Sequence, residues 1–164
     1  MKASIQGTSR VYGIIGYPVT HSRSPVMQNL ALEADGRDAV FVPFEVSPDL
    51  LPEAIRGMRA LGIAGFNVTI PHKCAVMPLL DHVDAVAAIA GTVNTVVVEE
   101  HSYVGYNTDG DGLVRSLAVD LAHDPAGDAV LVYGAGGAVR GALEALCRHG
   151  VRSVRLYNRT ATRG

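Results

Sequence analysis

Along this chain the spacing of apolar residues switches repeatedly between a period of two and a period near 3.6, and each switch marks a new element. Residues 11–16 (Val-Tyr-Gly-Ile-Ile-Gly) read as a first strand. Ser24 is then expected to cap a helix, with Pro25 at its first position, Val26, Met27, Leu30, Ala31 and Ala34 on one apolar face, and Gly36 at its end. Residues 39–46 form a second strand, and Ser47-Pro48 opens a helix through the stripe Leu50, Leu51, Ile55 and Met58. The apolar stretch 63–70 is a third strand, stopped by Pro71, with a helix expected from about His72. A short helix over 83–90 precedes two strands, 92–99 and 103–107, that read as a hairpin.

The pattern changes at residue 109. Thr108 or Asp109 is expected to cap a helix carrying Leu113, Val114, Leu117, Ala118 and Leu121. A polar connector, 123–128, leads to a strand at 129–133, a glycine turn at 134–137, a helix at 138–149 and a strand at 153–157. Strands alternating with helices imply right-handed crossovers and a largely parallel sheet. The expected fold is therefore α/β, with a parallel-dominated N-terminal α/β domain over 1–109 and the start of a Rossmann-type domain over 110–164. A nucleotide-binding sheet normally continues beyond one strand-helix-strand unit, so the chain reads as the front part of a longer protein or as a truncated product.

Composition narrows the class of function. The 164 residues are 48% hydrophobic and 18% charged with a net charge of -2, which fits a folded domain and offers no basic face for nucleic acid or anionic membrane. No run approaches the ~20 apolar residues of a membrane span, and residues 1–10 lack the apolar core of a secretory signal, so the cytoplasm is the expected location. Cys74 and Cys147 show no ligand spacing, and neither do the histidines, so no metal is expected; Cys147 lies on an apolar helical stripe and both thiols read as packed.

Five runs carry candidate chemistry. Lys73, close after the Pro71 stop, would sit near a helix N-terminus, where positive potential disfavours a cation by about 0.3–1 kcal/mol and lowers an amine's pKa toward values useful for proton transfer. A bound anion or an incoming carboxylate would compensate, and Asp109 in the run Tyr106-Asn107-Thr108-Asp109-Gly110 is a candidate partner. Ser22 and Ser24, two residues apart before a helix, can both serve a carboxylate. Gly134, Ala135, Gly136, Gly137 and Ala138 form a strand-to-helix turn suited to a pyrophosphate, although the third fingerprint glycine is replaced by Val139. At the end of the next strand Asn158, Arg159, Thr160 and Arg163 supply guanidinium groups and a hydroxyl where an NAD site would place a carboxylate, which favours NADP.

In order along the chain, the runs Ser22–Pro25, Asn67–Lys73 (NVTIPHK), Ala90–Thr95 (AGTVNT), Tyr106–Gly112 (YNTDGDG), Gly134–Ala138 (GAGGA) and Asn158–Arg163 (NRTATR) resemble the shikimate dehydrogenase family. The resemblance implies reversible, NADPH-dependent reduction of 3-dehydroshikimate to shikimate, a step of aromatic amino-acid biosynthesis. It implies that Ser22 and Ser24 hold the substrate carboxylate, that Thr69, Asn94 and Asp109 bind ring hydroxyls with Asn67 lining the pocket, and that Lys73 and Asp109 are the catalytic pair. The implied partner is a small cyclic acid, shikimate or 3-dehydroshikimate, with no nucleic acid and no membrane; a homodimer is compatible. A quinate/shikimate dehydrogenase and a truncated, non-catalytic shikimate-binding paralogue are the alternatives.

Overall fold

The computed structural model describes residues 5–159. In chain order the elements are β1 (Arg10–Gly16), α1 (Ser24–Ala34), β2 (Ala39–Glu45), α2 (Leu51–Ala60), β3 (Gly65–Val68), β4 (His82–Val83), α3 (Ala85–Ala90), β5 (Thr95–Glu99), β6 (Ser102–Tyr106), α4 (Asp109–Asp120), β7 (Ala129–Tyr133), α5 (Gly137–Arg148) and β8 (Ser153–Tyr157). The mixed α/β architecture matches the expected class. Contacts divide the chain into one unit running to His82 and including Val93–Gly105, and a second made of Val83–Thr92 and the chain from Tyr106 onward. Residues 83–92 thus pack with the second unit, which the linear division at 109/110 does not anticipate; α3 lies against α5 there.

The first unit is built on a six-stranded sheet of order β2-β1-β3-β5-β6-β4. β1 pairs parallel with both β2 and β3, Tyr12 lying opposite Phe41 on one side and Gly65 on the other, and β5 runs antiparallel to β3. Residues Gly13 to Gly16 of β1 are all buried, as a central strand requires. Of the expected stripe, Leu51, Ile55 and Met58 are buried on α2, whereas Leu50 ends a 3-10 turn before the helix and is 58% exposed. Gly62, at a φ of 67°, ends this helix, and the bond from Ile63 N–H to the Met58 carbonyl at 3.0 Å draws Ile63 into the helix stop. That is why the third strand begins only at Gly65 instead of residue 63.

α1 departs from its apolar pattern. Val26, Met27 and Leu30 are about 60% exposed, and none of the helix's residues is fully buried. The half-buried side carries Gln28, Asn29 and Leu32, and Leu32 packs on the cluster of Ile14, Val19 and Phe41. Asn29 sets this orientation. Its Nδ2 donates to the carbonyls of Pro25 (2.7 Å) and Phe41 (2.8 Å), while its Oδ1 accepts the Phe41 N–H at 2.9 Å. Replacing Asn29 by Ala is expected to cost about 2 kcal/mol, the sum of lost bonds and stranded β2 backbone groups, read as a shift in the urea midpoint. A loss below about 0.5 kcal/mol would mean the bonds are replaced by water at no cost.

The loop between β5 and β6 is Glu100-His101, with φ of 46° and 71°, the two positive values of a type I′ turn. Beneath the hairpin, Asp81 accepts the Tyr103 N–H at 2.7 Å and Arg59 at 2.8 Å, and the Arg59 guanidinium lies 4.4 Å from the centre of the Tyr103 ring. The Tyr103 N–H first, and Arg59 second, hold the Asp81 carboxyl below its ordinary range. A folded-state pKa below the unfolded one gives stability that is complete above an unfolded value of about 3.9 and is lost as pH falls through the lowered value. Asp81→Asn should therefore lose less stability than the parent between neutral pH and pH about 3, measured by urea unfolding at both; an equal acid loss in both proteins would remove Asp81 from the account.

The second unit consists of the parallel pair β7-β8, from Ala129 opposite Ser153 to Tyr133 opposite Tyr157, with α3 and α4 packed on α5. α5 buries Gly141, Ala145 and Leu146. α4 buries only Gly110; Val114 and Leu117 are half-buried, while Leu113, Ala118 and Leu121 are exposed, so its expected apolar face is only partly used. Cys74 and Cys147 are both exposed free thiols, against the expectation of packing; on α5 the inward positions next to Cys147 are taken by Ala145 and Leu146. Among the described residues no helix is long and apolar enough to cross a membrane, and no cluster of three or more His, Cys, Asp or Glu could hold a metal ion.

Candidate functional site

The order β2-β1-β3 reverses direction at β1, and the loops leaving the carboxyl ends of two adjacent parallel strands at such a reversal are where open α/β sheets bind ligands. Here they are the loop after β1, carrying Ser22 and leading to Ser24, and the loop after β3, carrying Thr69 and Lys73. The two start in contact. Tyr17 N–H donates to the Ile70 carbonyl at 3.0 Å, Thr69 N–H to the Ile15 carbonyl at 2.9 Å, and a Cβ on Gly16 would lie 2.5 Å from the Thr69 methyl. Only glycine allows that approach.

Ser24 does not cap α1. It is the first helical residue, Arg23 occupies the cap position, and Ser22 Oγ accepts the Ser24 N–H at 3.2 Å. The Ser22 hydroxyl thus serves the helix start at the same place where it would meet a ligand. Both serines are half-buried.

The expected helix at His72 is also corrected: residues 70–76 form successive turns, followed by a single 3-10 turn at Met77–Leu79. Pro78 lacks the N–H an α-helix would use. The half-buried Lys73 is therefore not at a helix N-terminus, and the dipole argument for its setting falls away. Two bonds hold its backbone instead. The Lys73 carbonyl accepts the Val93 N–H at 2.8 Å, and the buried neighbour His72 donates from Nε2 to the Val46 carbonyl at 2.7 Å, the acceptor-only carbonyl fixing the tautomer. Nothing in the sequence periodicity marked His72 as an anchor; a polar residue directly after a strand-ending proline was the available signal.

Asn67 and Asn94 come together across β3 and β5. Asn67 Nδ2 donates to the Asn94 carbonyl (3.4 Å) and to Thr95 Oγ1 (3.2 Å), Thr95 Oγ1 donates to Asn94 Oδ1 (3.0 Å), and Val68 N–H donates to the Asn94 carbonyl (2.8 Å). The first unit thus gathers Ser22, Ser24, Asn67, Thr69, Lys73 and Asn94 around its strand ends. Thr95, which orients both asparagines, was missed by sequence reasoning. Hollows of about 710 Å³ beside Arg10, Asp35 and Arg37, about 700 Å³ beside Ser9, Asn29 and Asp38, and about 520 Å³ beside Arg59 and His101 lie elsewhere in this unit, and the first is rimmed by an Arg37–Asp35 ion pair that satisfies itself.

Asp109 and the described cofactor candidates belong to the second unit. Asp109 is the half-buried first residue of α4; Thr108 holds the cap position without a side-chain cap bond, and it is Asn107 Oδ1 that accepts the Asp109 N–H, at 3.0 Å. The glycine turn follows β7: Gly134 has a φ of 104°, which only glycine adopts without strain, and its N–H reaches the Tyr157 carbonyl at 2.8 Å. This bond sets the turn beside Asn158 and Arg159 at the end of β8. A Cβ on Gly136 would meet nothing within 4 Å, so space stands open before the first turn of α5; there the Val139 N–H bonds to the Gly136 carbonyl at 3.0 Å, and the N–H groups of Gly137 and Ala138 precede the first intrahelical bonds. An anionic group fits there, with Arg159 exposed alongside. Thr160 and Arg163 lie outside the described residues.

A family model described as the shikimate dehydrogenase substrate binding domain matches residues 14–96. The chain is 56% identical over 160 residues to the shikimate dehydrogenase (NADP(+)) of Geobacter metallireducens, covering 98% of this chain and 56% of that one. Among solved structures, shikimate dehydrogenase from Aquifex aeolicus superposes with a TM-score of 0.91 at 43% identity over 96% of this chain and 58% of its own. Shikimate 5-dehydrogenase from Listeria monocytogenes, in complex with shikimate and NAD, gives 0.91 at 34% identity, over 99% of this chain and 56% of its own. The chain therefore spans about 56% of the length of the curated relative above.

Proposed function

Because the chain belongs to the shikimate dehydrogenase family, we propose that it carries the substrate site and the beginning of the cofactor site of an NADP-dependent shikimate dehydrogenase, which reversibly reduces 3-dehydroshikimate to shikimate. The functional division proposed is 1–109 for substrate and 110–164 for the nucleotide, a division of labour along the chain distinct from the packing units. The reading extends to a cytoplasmic place in aromatic amino-acid synthesis and is compatible with a homodimer.

The observation that carries it is that the loops and strand ends after β1 and β3 bring the chain at Ser22, Ser24, Thr69 and Lys73 beside the oriented amides of Asn67 and Asn94. Those groups match a small ring bearing one carboxylate and several hydroxyls. Ser22 and Ser24 hold the carboxylate; Thr69, Asn94 and Asp109 hold ring hydroxyls; Asn67 lines the site. The turn Gly134–Ala138 receives the pyrophosphate, and Asn158, Arg159, Thr160 and Arg163 are the residues we assign to the adenosine end, with Arg159 suited to a 2′-phosphate.

When bound at the turn Gly134–Ala138, a nicotinamide cofactor would supply the hydride that the ring carbonyl carbon receives. As the C–O double bond becomes a single bond, the oxygen gains the electron pair, and the Lys73 ammonium stabilises that charge and passes it a proton. Asp109 orients the ammonium. In the reverse direction Lys73 accepts the hydroxyl proton as hydride leaves.

Calorimetry with shikimate and assays of shikimate and quinate oxidation, each with NADP and with NAD, test the proposal. Shikimate binding together with NADP-linked oxidation supports it. Equal or better use of quinate with NAD would instead make the protein a quinate/shikimate dehydrogenase. Binding without turnover, in this chain and in a form extended to the length of its relatives, would make it a non-catalytic binding module.

A further inference from the structure

Asn107 has no part in the chemistry above, yet it is one of few buried polar residues, 6% exposed, and its partner Thr92 is fully buried. Both ends of its amide are bonded in one orientation. Nδ2 donates to the Thr92 carbonyl (3.0 Å) and to Thr92 Oγ1 (2.8 Å), and Oδ1 accepts the Asp109 N–H (3.0 Å), closing an Asx turn into α4. Rotating the amide by half a turn would set two donors against each other at Asp109, so the network admits a single arrangement.

Helix α5 closes the other side. A Cβ on Gly141 would lie 2.6 Å from Asn107 Oδ1 and 2.9 Å from Nδ2, so the amide rests directly on the backbone of the helix that follows the glycine turn. The residue after Asp109 is clamped as well: a Cβ on Gly110 would meet the Gly141 carbonyl, and Ala145 Cβ at 2.6 Å. The backbone on both sides of Asp109 is thus tied to α5 and to Thr92.

We infer that Asn107 is a positioning residue, which fixes Asp109 for its work by tying the start of α4 to Thr92 and to the backbone of α5. This rests on the role proposed above for Asp109. A purely structural asparagine would lower stability and leave the reaction of the folded protein unchanged; a positioning one acts through Asp109 and through nothing else.

The test compares Asn107→Ala, the milder Thr92→Val, Asp109→Asn and the double variant Asn107→Ala/Asp109→Asn in the full protein. Asn107→Ala is expected to lower kcat for shikimate oxidation by about 10- to 100-fold with KM within about 3-fold, the pattern of a misplaced reacting group. Thr92→Val, which keeps the carbonyl acceptor, should lose about 3-fold and guards against an Asn107 variant that fails to fold. The double variant should be no slower than Asp109→Asn alone, because the two residues act as one unit. Amide exchange at Asp109 should speed up about 10-fold or more in Asn107→Ala relative to amides later in α4. Losses that multiply in the double variant, an unchanged kcat in both single variants at Asn107 and Thr92, or unchanged exchange at Asp109 would each overturn the inference. If neither the parent protein nor its form extended to the length of its relatives oxidises shikimate, the proposed function fails on its own account, and the exchange measurement alone decides whether Asn107 holds Asp109.

Discussion

Lys73→Met is expected to reduce kcat for NADP-linked shikimate oxidation by about a thousandfold, because it removes at once the proton carrier and the charge that faces the ring oxygen. Methionine keeps the unbranched stem, and the two bonds that hold this turn use the Lys73 carbonyl and the neighbouring His72, which the substitution leaves in place. The urea midpoint should therefore stay put while turnover collapses. Shikimate affinity should weaken by a few-fold only, since Ser22, Ser24 and the asparagine pair remain. Lys73→Arg should rescue little, because a guanidinium with a pKa above about 12 does not exchange its proton near neutrality. A Lys73→Met protein retaining activity within about threefold of the parent would remove this lysine from the chemistry.

The second large effect is on stability and has opposite signs two residues apart on one helix. At Gly110 an added Cβ runs into the Gly141 carbonyl and Ala145 of α5, and backbone does not move aside as a side-chain tip does. Gly110→Ala should cost about 3 kcal/mol in overpacking, offset by about 1 kcal/mol of better helix propensity. The expected outcome is a net loss of about 2 kcal/mol in denaturant unfolding. At Gly112 nothing lies within 4 Å of the same Cβ, so Gly112→Ala should gain up to about 1 kcal/mol. If both substitutions shift stability in the same direction, the close approach of α4 to α5 is not what limits residue 110.

What could be read from the chain beforehand was whatever depends on local spacing. The Leu51, Ile55, Met58 stripe, the strand at the start of the first unit and the strand-turn-helix around Gly134 all follow from neighbours within one or two turns. Contacts set by distant chain were not legible. The apolar residues of α1 pointed to Val26, Met27 and Leu30 as its inner face, but the helix is turned by a polar residue, Asn29, whose partner Phe41 is twelve residues away. Asp84 caps α3 through its bond to Val86 N–H, a local signal present in the sequence and overlooked in favour of a helix from residue 83. The Glu100-His101 turn carries neither the glycine nor the asparagine that normally announces a type I′ geometry.

The candidate site divides in the same way. Ser22, Ser24 and Lys73 were recognisable as residue types following strands, whereas Thr69 fell inside the expected third strand and was singled out only by the family resemblance; the sheet order brings their loops together at β1 and β3. The residues that orient them, His72 and Thr95, and Asn107 beside Asp109, are ordinary polar letters until the backbone groups they satisfy are known.

Strand β2 forms one rim of the six-stranded sheet, and Phe41 presents its N–H and C=O outward to the Asn29 amide, which imitates one residue of a neighbouring strand. Two residues on, the outward position is Pro43, which has no hydrogen to offer. A rim blunted at consecutive outward sites is a poor template for a foreign strand, so this helix asparagine also guards the protein against self-association through β2 during folding and storage.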